Sequence, residues 1–332
     1  MYTSIYTTDT PALLNQLAAT PEMQRLSDVG MHCGCEYANI PILKNSKFQY
    51  SRLTHSISVA KIIWHFTKNI NQTVAGLLHD IATPVFAHTI DFMNNDHMTQ
   101  ESTECRTYQI IENSQEIMSL LESNGISIDD VCDYQKYPIA DNDTPMLSAD
   151  RLEYTLGNGH GLYHESLSQI KTIYNDLYVG ENEQGIAELC FNTIDIAKKF
   201  IELSLRNSRL YVSDEDRYLM QCLAELIRDA IKIGTLTFND LYSTESQVIK
   251  SLKRCPKLSF RWNEYTNIVS VAAAREKPLD IYSVQVFAKK RYINPLVNTK
   301  EGVKRITEID ANLKMEIDSF LSSDFSNWLY AI

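Results

Sequence analysis

The residues best suited to chemistry gather in one stretch, AGLLHDIATPVFAHTIDF, residues 75–92. His79 and Asp80 end an apolar run, Pro84 follows, and His88 and Asp91 come soon after. Neighbours on a helix point about 100° apart, so His79 and Asp80 cannot share one core position. Both can reach one cation lying beside a helix end, where unpaired carbonyls also favour positive charge. Two ligands do not make a site, and two more candidates lie elsewhere in the chain. His55, in SRLTHSISVAKI, precedes His79 by 24 residues, which suits a pair of antiparallel helices. Asp150, in MLSADRLEYTL, falls at or near a helix start. His55, His79, Asp80 and Asp150 form a mixed nitrogen and oxygen set that suits Mn, Fe, Zn, Co or Ni more than Ca. Taken singly they have plainer readings: a lone buried histidine is usually a satisfied core residue, and an aspartate opening a helix is usually a cap.

The elements that must hold these residues read as helices. Residues 56–68 are apolar around much of a helix, and 72–81 repeat the pattern with Val74, Leu77, Leu78 and Ile81. Pro84 disfavours the helical region for Thr83, so the second helix should stop near Ala82. Short helical pieces are expected over 11–29, with longer helices at about 100–124, 147–157, 184–206 and 214–233. From about residue 256 the texture changes. YTNIVSVAAA (265–274) and IYSVQVFAKK (281–290) alternate like strands, and 310–321 reads as a last helix. The expectation is a mostly α fold: a helical body over 1–255 carrying the metal site, and a small α+β extension over 256–332 packed on it.

Composition narrows the function. The chain has 332 residues, 44% apolar and 22% charged, with no apolar run long enough to span a membrane. Its first residues, MYTSIYTTDTPALL, lack the basic and apolar regions of a secretory signal, so a cytoplasmic location is expected. Seven scattered cysteines argue against a disulfide framework. His32-Cys33-Gly34-Cys35 has no second pair at zinc-finger spacing, so these thiols read as small core groups. A net charge of −11 disfavours a nucleic-acid polymer as ligand. A small phosphorylated molecule remains compatible, because a metal ion and a few local cations can hold phosphates inside an acidic protein.

His55, the His79-Asp80 doublet and Asp150 together resemble the signature of the HD-domain metal phosphohydrolases. The blocks EMQRLSDVG, SRLTHSISVA, AGLLHDIATPVFAHTIDF and SADRLEYTL resemble, in order, successive blocks of deoxynucleoside triphosphate triphosphohydrolases, which include the dGTPase-like and SAM-and-HD-domain enzymes. Weaker likeness continues through SRLYVSDEDRYLMQCLAELIRDAI and GTLTFNDLYSTESQVIKSL, so that it covers most of residues 20–255. The resemblance implies an HD-domain helical core in which His55, His79, Asp80 and Asp150 hold one divalent ion, for which Mg joins the metals above. It implies that His88 donates a proton to the leaving alkoxide, with Asp91 orienting the ring and keeping it protonated. It places Arg52 on substrate phosphate, and Tyr154, Asn158 and Tyr211 near the sugar. Without it, His88 would read as bonded to a backbone carbonyl, Arg52 as a surface ion pair and Tyr154 as core.

The pattern also breaks. The family's continuation HD-[IL]-G-H-G-P-F-S-H becomes His79-Asp80-Ile81-Ala82-Thr83-Pro84-Val85-Phe86-Ala87-His88, with Thr83 where the intermediate histidine belongs. A later His-Glu falls on Gln100-Glu101, with His97 one helical turn away, and the glutamine beside the base falls on Met31 or His32. The expectation is a metal-dependent phosphohydrolase acting on a nucleotide, and most specifically a dNTP triphosphohydrolase. The alternatives are another HD hydrolase, such as a nucleotidase or phosphodiesterase, or a nucleotide-binding regulatory protein. Family members often assemble, so a homo-oligomer is expected.

Overall fold

A computed structural model describes residues 2–94, 98 and 106–332. Gln100, Glu101 and His97 therefore lie outside the described residues. The architecture is mostly helical, with two small sheets. Arg52–Thr67 starts earlier than its apolar pattern, because the Ser51 side chain caps it by accepting from the Thr54 amide at 3.3 Å. Asn69 caps Ile70–Leu78 in the same way, accepting from Gln72 at 3.0 Å. These two helices pack unusually close at Gly76, where a Cβ would meet Ile63 Cδ1 at 2.1 Å. That approach brings the His55 and His79 rings to 5.2 Å between centroids. The Arg52–Thr67 helix contributes Val59, Ile62 and Ile63 to one apolar cluster and Ala60 to another, so its flanks are buried on two sides.

Several elements differ from the sequence expectation. Within the described residues, the helix expected at about 100–124 is two helices, Thr107–Asn113 and Gln115–Ser123, broken at Ser114, which caps the second. The helix expected over 184–206 gives up its first turns to a hairpin: strands Leu177–Glu181 (β1) and Ala187–Phe191 (β2), then a helix Ile194–Leu210. The hairpin turn is built by Asn182, whose Oδ1 accepts from the Gln184 and Ile186 amides at 3.0 Å, and by Gly185 at φ 72°. Local turn chemistry there overrides helical periodicity. Over 265–274 the helix Pro256–Thr266 persists through the buried Tyr265, leaving only Val271–Ala274 (β3) as strand. Residues 281–290 form no strand, and only Val284 bridges to Leu329.

Leu296–Thr299 (β4) and Gly302–Arg305 (β5) complete a four-stranded sheet in the order β1-β2-β4-β5. β2 and β4 run parallel, joining residues 190–191 to 296–297, while β3 pairs antiparallel with Trp328–Ala331 (β6). The sheet also positions the site. Glu188 on β2 is fully buried, takes a bidentate pair from Arg305 at 2.6 and 2.9 Å, and accepts the Leu147 amide at 3.0 Å. Leu147 precedes the Ser148 cap of the helix Ala149–Gly161, on which Asp150 sits.

Candidate active site

The site is built where three helix ends meet. His55 lies in the first turn of Arg52–Thr67, His79 caps the C-terminus of Ile70–Leu78, and Asp150 opens Ala149–Gly161. Asp80 follows in a turn: the helix expected to run to about Ala82 ends at Leu78, four residues earlier, and residues 79–82 turn before Pro84. His55 Nε2 stands 2.8 Å from Asp150 Oδ1, and His79 Nε2 stands 3.6 Å from Asp150 Oδ1 and 3.5 Å from Asp80 Oδ2. One donor atom each from His55, His79 and Asp80 fits within 4.8 Å.

The donor chemistry fits a divalent ion. His79 Nδ1 bonds the Gly76 carbonyl at 2.7 Å, which fixes that nitrogen as the protonated one and leaves Nε2 for a ligand. His55 Nδ1 bonds Glu153 Oε2 at 2.5 Å, which turns its Nε2 the same way. Two imidazole nitrogens and the Asp80 carboxylate thus gather as one group that could hold an ion, with Asp150 Oδ1 beside both rings. Burial resists ionisation of Asp80, but Arg52, His79 and His55 hold its carboxyl well below the usual range, which suits a ligand. Burial also resists charge on His55, yet Glu153 and Asp150 push its pKa up to about 10, so its Nε2 carries a proton here that a bound ion would displace.

The supports of this cluster include residues that sequence reasoning missed. Glu153 is fully buried, and its Oε2 accepts from both His55 and the Tyr50 hydroxyl. Tyr50 reaches it only because position 157 is glycine, where a Cβ would lie 2.3 Å from the Tyr50 oxygen. Glu153 was visible in principle: it follows Asp150 by three residues on one helix, an acid on an otherwise apolar face. Thr83 gains a role of its own, since its hydroxyl donates to Asp80 Oδ1 at 2.6 Å. Arg25, from EMQRLSDVG, donates to the carbonyls of Ile81 and Thr83 at 3.0 and 2.8 Å and clamps the turn.

A cavity of about 1070 Å³ opens beside the cluster. Arg52, His55, His79, Asp80, His88, Asp150, Tyr154 and Tyr211 all line it. Two expected residues sit differently from the expectation. Asn158 is buried and does not line the cavity; it lies behind the wall, donating to Tyr211 at 2.7 Å and bonding His32 Nε2 at 3.2 Å. Two turns beyond Asp150, it has rotated off the cavity face of the helix. Arg52 NH1 spans both oxygens of Asp80 at 3.1 Å, so this nitrogen serves the cluster. His32, at the position where the family glutamine was sought, is kept neutral: burial lowers its pKa to about 4.

His88 bonds Asp91 at 2.9 Å through Nδ1, with Asp91 fully buried in the short helix Thr89–Met93. The expected orienting pair is present. Its charge state differs from the expectation that Asp91 keeps the ring protonated. Burial lowers the His88 pKa, and Arg291 and Arg52 add to the lowering against the pull of Asp91. The approach to His88 is unusual backbone, with Phe86 at φ 59° and Ala87 at φ 41°. Glu245 holds that turn, accepting the Phe86 amide at 3.1 Å together with the Gly30 amide at 3.1 Å and the Tyr37 hydroxyl at 2.6 Å. Burial and the neighbouring Glu36 push Glu245 up to about 7.

No family model matches the chain. In sequence it is 24% identical over 243 residues to the uncharacterized protein YdhJ of Bacillus subtilis, covering 73% of this chain and 71% of that one. It is 25% identical over 144 residues to the metal-dependent phosphohydrolase cns2 of Cordyceps militaris, covering 43% of this chain and 39% of that protein. In structure it superposes on a phosphohydrolase from Bacteroides thetaiotaomicron with a TM-score of 0.64 at 16% identity, over 98% of this chain and 96% of the other. A hypothetical protein from Aquifex aeolicus gives a TM-score of 0.64 at 17% identity, over 97% and 93%. The chain is thus similar in sequence to a metal-dependent phosphohydrolase over less than half its length, and shares its fold with a phosphohydrolase of known structure along nearly all of it.

Proposed function

We propose that this chain is a metal-dependent phosphohydrolase of the HD type acting on a nucleotide, with dNTP triphosphohydrolysis as the favoured reaction. The observation that carries the reading is the convergence of His55 Nε2, His79 Nε2, Asp80 and Asp150 on one wall of a roomy cavity that also holds cations. The names of the two phosphohydrolases above support it. His55, His79, Asp80 and Asp150 would hold one divalent ion, whose chemistry is to acidify water and to withdraw charge from phosphoryl oxygens.

The other residues have work of their own. Water forms a new bond to phosphorus and loses its proton to solvent as the phosphorus–oxygen bond to the leaving group breaks, and His88 Nε2 supplies the proton that the departing alkoxide needs. Asp91 holds the ring in the orientation that presents Nε2 to the cavity. The incoming substrate's own negative charge opposes the effect of Arg52 and Arg291, and so raises the fraction of His88 that carries a proton. Arg52 ties Asp80 in place and borders the phosphate site, while Tyr154 and Tyr211, in edge contact at 6.1 Å, form the surface for the sugar.

A second reading, a nucleotide-binding protein with little turnover, is favoured by Thr83, which stands where the family has a histidine and cannot shuttle a proton. The deciding experiment loads the purified protein with Mn²⁺ and screens dNTPs, NTPs, monophosphates and cyclic dinucleotides for product. His79→Ala is run alongside. Release of deoxynucleoside and triphosphate, lost in the variant, supports the first reading. Equal turnover by the variant sinks it, and nucleotide binding in calorimetry without product supports the second.

A further inference from the structure

Glu245 opens the helix Glu245–Arg254 and is 1% exposed, and its carboxylate joins two segments that serve different sides of the cavity. One oxygen, Oε1, accepts both the Gly30 amide and the Phe86 amide at 3.1 Å. The other accepts the Tyr37 hydroxyl at 2.6 Å. The first segment, residues 29–31, is fastened to the start of the helix that carries His55. Gly30 bridges antiparallel to Ser51, which caps that helix, while the Met31 amide donates to Tyr50 at 3.1 Å and the Arg52 amide to Val29 at 2.9 Å. The second segment is the turn that delivers His88, where Phe86 and Ala87 take the left-handed backbone that L side chains rarely adopt. Such a turn persists only when its surroundings hold it. Here the Val85 amide donates to Leu241 at 2.8 Å and the Thr89 hydroxyl to Cys33 at 2.7 Å. The start of the Glu245 helix is anchored to the first segment as well, because Asp28 accepts the Ser246 amide and hydroxyl at 3.2 and 3.0 Å.

We propose that Glu245 is a positioning residue that sets the distance between the His/Asp cluster and His88, by holding the Gly30 and Phe86 amides on one oxygen. Two donors bonded to the same atom cannot separate by more than twice the length of either bond, so this atom limits how far the His88 turn can drift from the His55 helix. Proton transfer needs hydrogen-bond reach, and a misplacement of about 1 Å costs on the order of 10²-fold in rate. Gly30 is what lets the carboxylates come so close, since a Cβ there would lie 1.7 Å from Glu36 Oε1 and 3.7 Å from Glu245 Oε2. The role depends on the reach of the side chain and not on its charge. A glutamine of the same length offers the same accepting oxygen to both amides, and its NH₂ can donate to the Tyr37 oxygen. An aspartate keeps the charge but is one methylene too short to span both.

The inference rests on the phosphohydrolase reading only for naming His88 as the proton donor; its position can be measured without turnover. The test compares Glu245→Gln, Glu245→Asp and Glu245→Ala in the full chain labelled with ¹⁵N at histidine. In the Asp and Ala variants the His88 Nδ1–H resonance, set by its bond to Asp91, should shift, while the His79 Nδ1–H resonance, set by the Gly76 carbonyl, stays in place. With Mn²⁺ and dGTP, Glu245→Asp should lower kcat about tenfold and Glu245→Ala about 100-fold, with KM moving less than about threefold and bound Mn unchanged. Glu245→Gln should recover at least about tenfold of the alanine loss. Aspartate performing as well as glutamine, His79 shifting together with His88, or His88 unmoved in both shortened variants would overturn the assignment. Should the alanine variant not fold, the comparison of aspartate with glutamine decides alone. If His88 moves as described while no phosphate compound is hydrolysed, the phosphohydrolase reading falls and the positioning role stands.

Discussion

The two sides of the cavity are made in different ways. On the cluster side, three of the four candidate ligands are fixed by a second bond: His79 by a backbone carbonyl, His55 by Glu153, and Asp80 by Thr83 and Arg52. These residues sit at the ends of capped helices and are almost wholly buried. On the opposite side, the His88 side chain is a third exposed, its approach runs through two left-handed residues, and its neighbour Arg291 comes from a segment without helix or named strand, 284–294, tied to Leu329 at one end and to Pro145 at the other. The lesson is a division of labour. A metal cluster tolerates little displacement, so it is set on rigid elements; the substrate side is carried by irregular backbone that can differ without disturbing the cluster.

The largest expected effect comes from breaking the rigid side. Asp150→Ala should lower turnover by about three orders of magnitude or more, the scale of several kcal/mol supplied by a bound cation, and elemental analysis should find the metal depleted. On the other side, His88→Gln should cost about 10²- to 10⁴-fold in kcat while the metal content stays at the wild-type level. Loss of metal in His88→Gln would erase the distinction between the two sides. The pH profile sharpens it. A proton donor acts below its pKa, so kcat/KM should fall as pH rises through a value below the ordinary imidazole range, because burial and Arg291 lower His88. Arg291→Gln should move that limb to higher pH.

Smaller effects test how the rigidity is achieved. Glu153→Gln should weaken metal binding by about 10- to 100-fold in a chelator competition, since His55 loses the carboxylate that turns its Nε2 into the site. Unchanged affinity would make Glu153 a packing residue only. Glu245 gives the last prediction, on stability. Its folded carboxyl titrates near 7 against an ordinary value of 4.5, so the folded state holds the proton more tightly. The resulting stabilisation is present below about pH 4.5 and is lost as pH rises to 7, by an amount on the order of 3 kcal/mol. Denaturant midpoints at pH 5 and pH 8 should differ less in Glu245→Gln than in wild type, and identical slopes would show that another group is responsible.

How much was legible follows the same division. His55, His79, Asp80 and Asp150 were marked as candidates by residue type and spacing and joined into one set by the family resemblance; that they stand close in space follows from local helices whose ends are marked by Ser51, Asn69, Ser148 and Pro84. Glu153 sat in plain view one turn from Asp150, but a buried acid among apolar neighbours reads as an exposed face until its partners are known. Asn158 was misplaced because family position does not say which way a helix has rotated by its third turn. Lys289 and Arg291 were illegible as residues of the cavity wall. The segment looked like a strand, and what brings it over the cavity is contact with Leu329, Arg217 and Pro145, all distant in sequence. The expected helix over 184–206 failed for the opposite reason, a turn signal at Asn182 and Gly185 too local for a periodicity window.

The segment 284–294 also bears on how the protein can diverge. It is tied to Leu329 at one end and to Pro145 at the other, and between the ties Lys289 and Arg291 reach the cavity while Lys290 bonds the carbonyls of Leu321 and Ser323. Insertion or deletion of one residue there would change which side chains reach the cavity, and would leave untouched the helices that carry His55, His79 and Asp150.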